Sequence, residues 1–323
     1  LPPGSGAVRV VGGSQRQSTS RRGRAVRVVV SGASGLIGRP LVRHLRAQGH
    51  EVLTLVRRAP GGPGEVRWDP AAGDLDPAQL GGVDAAVNLS GAGVGDHRWT
   101  GPYKDLVLSS RVDSTRTLVR ALLALDTPPR VLVNASAIGA YGDAGDAVLT
   151  EDAPRGTGFL AEVVARWEEE TRPAAEAGVR VALARTGLVA DPAGGAFEQL
   201  LTLFRLGLGG RLGTGRHWWS LITTPDEVAA LAFLLESPLA GPVNLACPQP
   251  ARNAEVTRAL GRALHRPAVL AVPPPALRLV LGEFAGEVMA SQRVVPRALV
   301  EAGFRFRHPD AASVTSWLAG ATG

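Results

Sequence analysis

The sequence predicts an α/β fold: a doubly wound parallel sheet followed by a smaller, mainly helical C-terminal region. Three observations lead there. Strand-like and helix-like stretches alternate over the first two-thirds of the chain, which calls for parallel strands joined by covering helices. The strand stretches are short, nearly continuous apolar runs, the pattern of strands buried on both faces. A glycine-rich turn joins the first strand to the first helix.

Residues 26–30 read as the first buried strand, followed by Ser31-Gly32-Ala33-Ser34-Gly35-Leu36-Ile37-Gly38, a helical stretch ending at Gly49, and a second strand over 51–56. A short strand is expected at 65–68, and an apolar run at 85–89 leads into Ser90-Gly91-Ala92-Gly93. Leu106, Val107, Leu118, Val119 and Leu122 recur at helical spacing over 103–125. A strand at 131–134 runs into Ala135-Ser136-Ala137-Ile138-Gly139-Ala140-Tyr141-Gly142, and a helix over 159–177 precedes a strand over 179–185. From Gly194 the alternation becomes irregular. The glycine-dense segment 204–215 and His217-Trp218-Trp219 read as a loop over a pocket or as a surface loop. Pro273-Pro274-Pro275 marks a break before a helical stretch over 276–320. The expected organisation is a basic, disordered tail over 1–24, a nucleotide-binding domain over 25–245 and a small domain over 246–323.

Composition excludes several classes. Five arginines and no acid in residues 1–24 supply five of the six formal positive charges, so the other 299 residues carry +1. A domain so balanced gives no general case for nucleic-acid binding. No uninterrupted apolar run reaches the roughly 18 residues of a membrane span. The single cysteine, Cys247, rules out an internal disulfide and a cysteine-cluster metal site, and no metal-ligand spacing is present. Ser20-Arg21-Arg22 resembles a twin-arginine signal only superficially, because the apolar stretch after it contains Arg27 and is the first strand of the fold. The Arg- and Ser-rich, acid-free start also resembles an organellar transit peptide, with a simple unstructured extension as the expected reading. A cytoplasmic protein is expected, monomeric or homodimeric.

Gly32, Gly35 and Gly38 stand at G-x-x-G-x-x-G spacing inside one β-α-β unit. The first permits a tight turn, the second lets a pyrophosphate approach the backbone, and the third allows close helix–strand packing. The helix start adds free N–H groups and partial positive charge. This is the Rossmann-type fingerprint of dinucleotide binding. The second strand ends in Arg57-Arg58. An acid there suits the ribose of NAD, whereas arginine suits the 2′-phosphate of NADP. NADP(H) is therefore the expected cofactor, with a merely solvated basic strand end as the alternative.

These residues, with Asn88-Leu89-Ser90-Gly91, Arg98-Trp99-Thr100, Ser110-Arg111, Trp167-Glu168, Arg185-Thr186-Gly187, Gly241-Pro242-Val243-Asn244 and Arg266-Pro267, resemble the extended short-chain dehydrogenase/reductase superfamily. More narrowly, they resemble its atypical epimerase-family branch, whose members carry a C-terminal domain of unknown function. The resemblance runs from about Val26 to Leu318. It implies cofactor contacts from Ser34, Leu36 and Ile37 in the turn, and from Leu89, Ser90, Gly91, Ala135, Gly187 and Leu188. It also implies an oxidoreductase or epimerase acting on a small, nucleotide-sugar-like substrate. The chain departs from the branch at Leu221-Ile222-Thr223, where members carry Trp-Ile-His, and at Ala140 beside Tyr141.

Enzymes of the superfamily generally hold a tyrosine four residues before a lysine on one helix, so that the phenol handles the proton accompanying hydride transfer. Here the only lysine is Lys104 and the only tyrosines are Tyr103 and Tyr141, so no such pair exists. The helix reads Phe159-Leu160-Ala161-Glu162-Val163-Val164. Tyr141, Ser136 and Lys104 are the candidate replacements, and His217 a weaker one. Each also has a plainer reading: a packed aromatic, a strand-end turn residue, a solvated helix-start charge and a loop histidine. Two functions stay open, an NADP-dependent enzyme with a rearranged acid–base group and an NADP-binding regulatory or scaffold protein without chemistry.

Overall fold

The computed structural model describes residues 25–321; the predicted tail lies outside the described residues. Seven parallel strands form one sheet: β1 (Arg27–Ser31), β2 (Glu51–Val56), β3 (Glu65–Arg67), β4 (Ala85–Asn88), β5 (Val131–Ala137), β6 (Arg180–Thr186) and β7 (Gly241–Leu245). Their order is β7-β6-β5-β4-β1-β2-β3, so the chain winds outward from β1 in both directions. This is the doubly wound arrangement that the alternation predicts.

Period-two geometry explains the two layers of helices. Val28 and Val30 of β1 pack with Leu41 and Leu45 of α1 (Gly38–Ala47) and Leu231 and Leu234 of α6 (Thr224–Glu236). Val29, pointing the other way, packs with Leu118 and Leu122 of α2 (Gly101–Leu123). All three valines are fully buried, so each face needs its own helical cover. The expected helix over 159–177 is two helices, α3 (Phe159–Glu169) and α4 (Arg172–Glu176). The break falls at Thr171, whose hydroxyl donates to the Glu168 carbonyl, just before Pro173.

The glycine-dense segment 204–215 is a loop only in part: Gly210–Leu212 form a short strand, and Phe204 and Arg205 end a helix, α5 (Gly195–Arg205), whose Phe197, Leu201 and Phe204 enter a second core with Trp219. That core also takes Val256 and Leu260 of α7 (Asn253–Ala263), Leu277 of α8 (Pro274–Leu281), Ala285 of α9 (Phe284–Met289), and Val314 and Leu318 of the last helix (Ala311–Gly320). The second lobe thus mixes residues 190–219 with the C-terminal stretch. A strap at 291–295 stitches it to the sheet. The Ser291 amide donates to Asp143, Gln292 Nε2 donates to the Ile138 and Gly142 carbonyls, and Asn244 Nδ2 donates to the Val295 carbonyl. No helix among the described residues is long and apolar enough to cross a membrane.

Candidate functional site at the carboxyl edge of the sheet

The turn after β1 is shaped by what its glycines leave out. Gly32 has φ +67°, and a Cβ there would stand 2.6 Å from the Leu89 carbonyl oxygen. A Cβ at Gly38 would overlap the Gly32 carbonyl oxygen. Gly35 differs: an added Cβ would meet only the Gly32 oxygen, at 3.3 Å, so the space before it is open. Helix α1 begins at Ile37 and Gly38 with no side-chain cap and no acid in its first turn. The amides of Leu36, Ile37 and Gly38 are free for an anion, while those of Gly35 and Arg39 donate to the Gly32 and Gly35 carbonyls. Ser34, Gly35 and Leu36 are exposed around this cradle and Ile37 is half-buried.

A buried polar chain fixes the neighbouring strand ends. Ser31 Oγ donates to Asn88 Oδ1 (2.5 Å), and Asn88 Nδ2 donates to Thr115 Oγ1 (2.9 Å) and Asn134 Oδ1 (2.7 Å). This ties β1, β4 and β5 together and sets the path of Leu89, Ser90 and Gly91. A Cβ at Gly91 would approach Arg111 Cζ to 3.1 Å. Arg111, on α2, stacks on Trp167 at 5.1 Å and donates Nη1 to the Ala92 and Val107 carbonyls. It has no carboxylate partner, and burial pulls its pKa down to about 10. A half-buried cation without an acid, beside this loop, suits an anionic ligand. Across the edge, Ala135 is half-buried on β5. A Cβ at Gly187 would stand 2.5 Å from the Ser220 oxygen, to which the Leu188 amide donates. The predicted contacts Gly32 to Gly38, Leu89 to Gly91, Ala135, Gly187 and Leu188 all lie where the strands end. These residues fit a dinucleotide: a backbone cradle, a free helix start and an unbalanced cation.

The two arginines after β2 have different surroundings. Arg58 grips Glu65 with two hydrogen bonds (2.8 and 2.6 Å), which, with the Gly61 amide, hold the Glu65 carboxyl at about 2. Arg57 is exposed and makes no ion pair or hydrogen bond within the protein.

The candidate catalytic groups are already engaged. Ser136 Oγ donates to Glu168 Oε1 (2.6 Å). Glu168, 4% exposed, also receives Arg185 through Nε and Nη2 (2.9 and 3.0 Å) and pairs with Arg155. Burial works to raise the Glu168 pKa, but the Arg185 hydrogen bonds and charge, helped by Ser136 and Arg155, outweigh it and hold the carboxyl ionised. Tyr141, 2% exposed, donates its hydroxyl to Asn244 Oδ1 (2.7 Å) and accepts from Arg185 Nη1 (3.1 Å). Burial raises its phenol pKa, with the Arg185 and Asn244 bonds opposing. Tyr141 and Ser136 thus belong to one buried network centred on Arg185. Lys104 lies outside it, paired with Glu283 and seated over the Trp99 and Phe159 rings at 5.7 and 5.3 Å.

Two carboxyls escaped the sequence reading. Glu287, half-buried on α9, has no hydrogen bond or ion pair, and its Oε1 faces Gly158 at the start of α3, 4.0 Å from where a Cβ would be. Burial and then the charge of Asp143 raise its pKa. Asp143 also acts on His217, whose pKa burial lowers. Glu227, 1% exposed on α6, accepts from Thr186 Oγ1 (2.8 Å) while its Oε2 has no partner. Burial pushes it up to about 8. In sequence both read as ordinary helix-surface acids; only the packing of the second lobe and of α6 on the sheet removes them from water. Cys247 is buried and its thiol pushed up to about 12, which leaves it inert at neutral pH.

The fold and this edge define a Rossmann-type dinucleotide-binding protein. Comparison with known families narrows the class: residues 28–246 match the NAD dependent epimerase/dehydratase family, and residues 272–318 match a domain of unknown function, DUF1731. The chain belongs to that epimerase/dehydratase family. It is 48% identical over 283 residues to the epimerase family protein Mb2239 of Mycobacterium bovis, covering 87% of this chain and 93% of that one. It is 38% identical over 291 residues to the bovine epimerase family protein SDR39U1, covering 88% and 97%. The crystal structure of human epimerase family protein SDR39U1 (isoform 2) with NADPH superposes with a TM-score of 0.83 at 32% identity, covering 91% of this chain and 99% of that one.

Proposed function

We propose that this chain binds NADP(H) and is a cytoplasmic oxidoreductase or epimerase acting on a small, nucleotide-sugar-like substrate, without nucleic-acid or membrane partners. The observation that carries the reading is the uncapped glycine cradle beside the unpaired Arg57. The NADPH in the related human structure supports the choice of cofactor. The amides of Leu36, Ile37 and Gly38, with Gly35 leaving room, would hold the pyrophosphate, Arg57 the 2′-phosphate with Arg58 shaping the loop, and Ala135, Gly187 and Leu188 the far end. When bound, NADP(H) supplies or accepts a hydride. Proton handling falls to the chain's own groups, and Glu287 is the better placed: its carboxyl is unpaired, its pKa is raised, and it abuts the helix where the superfamily keeps its proton donor. The polar atoms of Tyr141, Ser136 and Lys104 are each committed to a partner, so for them the role requires release of an existing bond.

Oxidation of NADPH, followed against a panel of carbonyl compounds and nucleotide-linked sugars, tests this. Turnover that Glu287→Gln abolishes and Tyr141→Phe spares supports Glu287; the reverse outcome returns the role to Tyr141. The second reading, a cofactor-binding regulatory protein, is favoured by the hydrocarbon at Leu160 and Val164, and tight NADPH binding with no turnover on any substrate would establish it.

A further inference from the structure

A groove of about 900 Å³ starts at the glycine turn, where Ser34, Gly35 and Leu36 line it, and runs on between α1, the 191–195 segment, the start of α6 and Arg307 of the C-terminal lobe. Its volume lies in the range of small-molecule sites. Arg39 and Arg43 stand one helical turn apart on α1, and Arg307 reaches the same groove from the C-terminal lobe. None of the three guanidiniums makes an ion pair or side-chain hydrogen bond. The one carboxylate lining the groove, Asp191, is occupied by Thr224 Oγ1 (2.5 Å) and the Ala193 amide (2.8 Å). His44, also lining it, has its pKa lowered by burial, by Arg307 and by His50, so it adds no fixed charge at neutral pH. Three cations therefore face one engaged carboxylate across a concave surface, where low-dielectric walls concentrate the field. Trp317 supplies an aromatic wall at the far side.

We propose that the part of this groove beyond the turn, between Arg43 and Arg307, is a second anion-binding site, taking a phosphorylated small molecule next to the dinucleotide; this rests on the NADP(H) reading, in which the Ser34–Leu36 end belongs to the cofactor. Arg43 and Arg307 clamp the phosphate from two lobes, while Arg39 stands nearest the cradle. Inorganic pyrophosphate is the probe, titrated calorimetrically into the full chain with and without saturating NADPH. Pyrophosphate should bind in the presence of NADPH. The exposed pair Arg43→Glu/Arg307→Glu should weaken that binding by about tenfold or more, each charge-assisted hydrogen bond lost being worth roughly that factor. NADPH affinity and the melting temperature of this variant should stay at wild-type values. Displacement of pyrophosphate by NADPH would assign the groove to the dinucleotide's own phosphates and overturn the proposal, as would undiminished binding in the variant. Should NADPH itself fail to bind, the comparison of variant with wild type in its absence still decides.

Discussion

The two sides of the carboxyl edge are built on opposite plans. The cradle side, from Gly32 to Gly38, is made of backbone and of missing side chains, and its Leu36, Ile37 and Gly38 amides are uncommitted. The other side, around Glu168 and Arg185, is made of long side chains that already satisfy one another. An open cradle is arranged for something that comes and goes, whereas a closed network holds strands β5 and β6 to helix α3 and to the loop carrying Tyr141. Residues of the kind that perform chemistry therefore serve architecture on one side, while on the other the absence of side chains creates the site.

The largest expected effect breaks the closed side. Glu168→Leu strands Arg185, which is 3% exposed, without its counter-charge. Removing one partner of a buried pair costs about 3–5 kcal/mol. Urea unfolding of the full chain measures it; a loss below about 1 kcal/mol, the size of a surface pair, would mean that the network is not a buried ion pair.

On the open side, Arg57 and Arg58 should separate. Arg57→Ala should lower the preference for NADPH over NADH by roughly 10- to 100-fold, because a hydrogen bond to a charged group is worth about 1.5–3 kcal/mol. Arg58→Ala should change the preference less, since its guanidinium is held by Glu65. Calorimetric titration of both cofactors checks this, and equal losses in the two variants would contradict the division.

A smaller effect appears in pH dependence. The Glu227 carboxyl is held at about 8 by burial, above its ordinary 4.5, so the folded state binds a proton that the unfolded state releases. Its contribution to stability is full below about pH 4.5 and falls as pH rises toward 8, at up to about 1.4 kcal/mol per pH unit. Glu168, with its pKa lowered, acts in the opposite sense, and its contribution is lost as pH falls below the ordinary carboxylate range. Glu227→Gln should flatten the decline between pH 5 and 8 in urea-unfolding free energies; an unchanged slope would show that Glu227 is ionised in the fold.

The same contrast explains what could be read in advance. Strand β2 falls on the expected residues and β1 within one, because buried parallel strands announce themselves as apolar runs. The glycine cradle was legible because its function lies in which side chains are absent. Helix α5 was hidden by the glycines around it, although Phe197, Leu201 and Phe204 lie at helical spacing. Arg111 stood out only as part of a motif, without a role, and Glu227 and Glu287 were given none, since their chemistry depends on burial and on partners far away in the chain. Arg57 and Arg58, adjacent and identical in type, differ only through Glu65 across the neighbouring strand.

Gly35→Val tests the central claim most directly, because of the three fingerprint glycines this is the one whose Cβ displaces the protein least, meeting only the Gly32 oxygen at 3.3 Å. NADPH titration of wild type and variant, beside a thermal melt of each, gives the answer. The cradle account predicts tight NADPH binding in wild type and its loss in a variant that still melts cooperatively near the wild-type temperature. A folded variant that binds NADPH as well as wild type would contradict it.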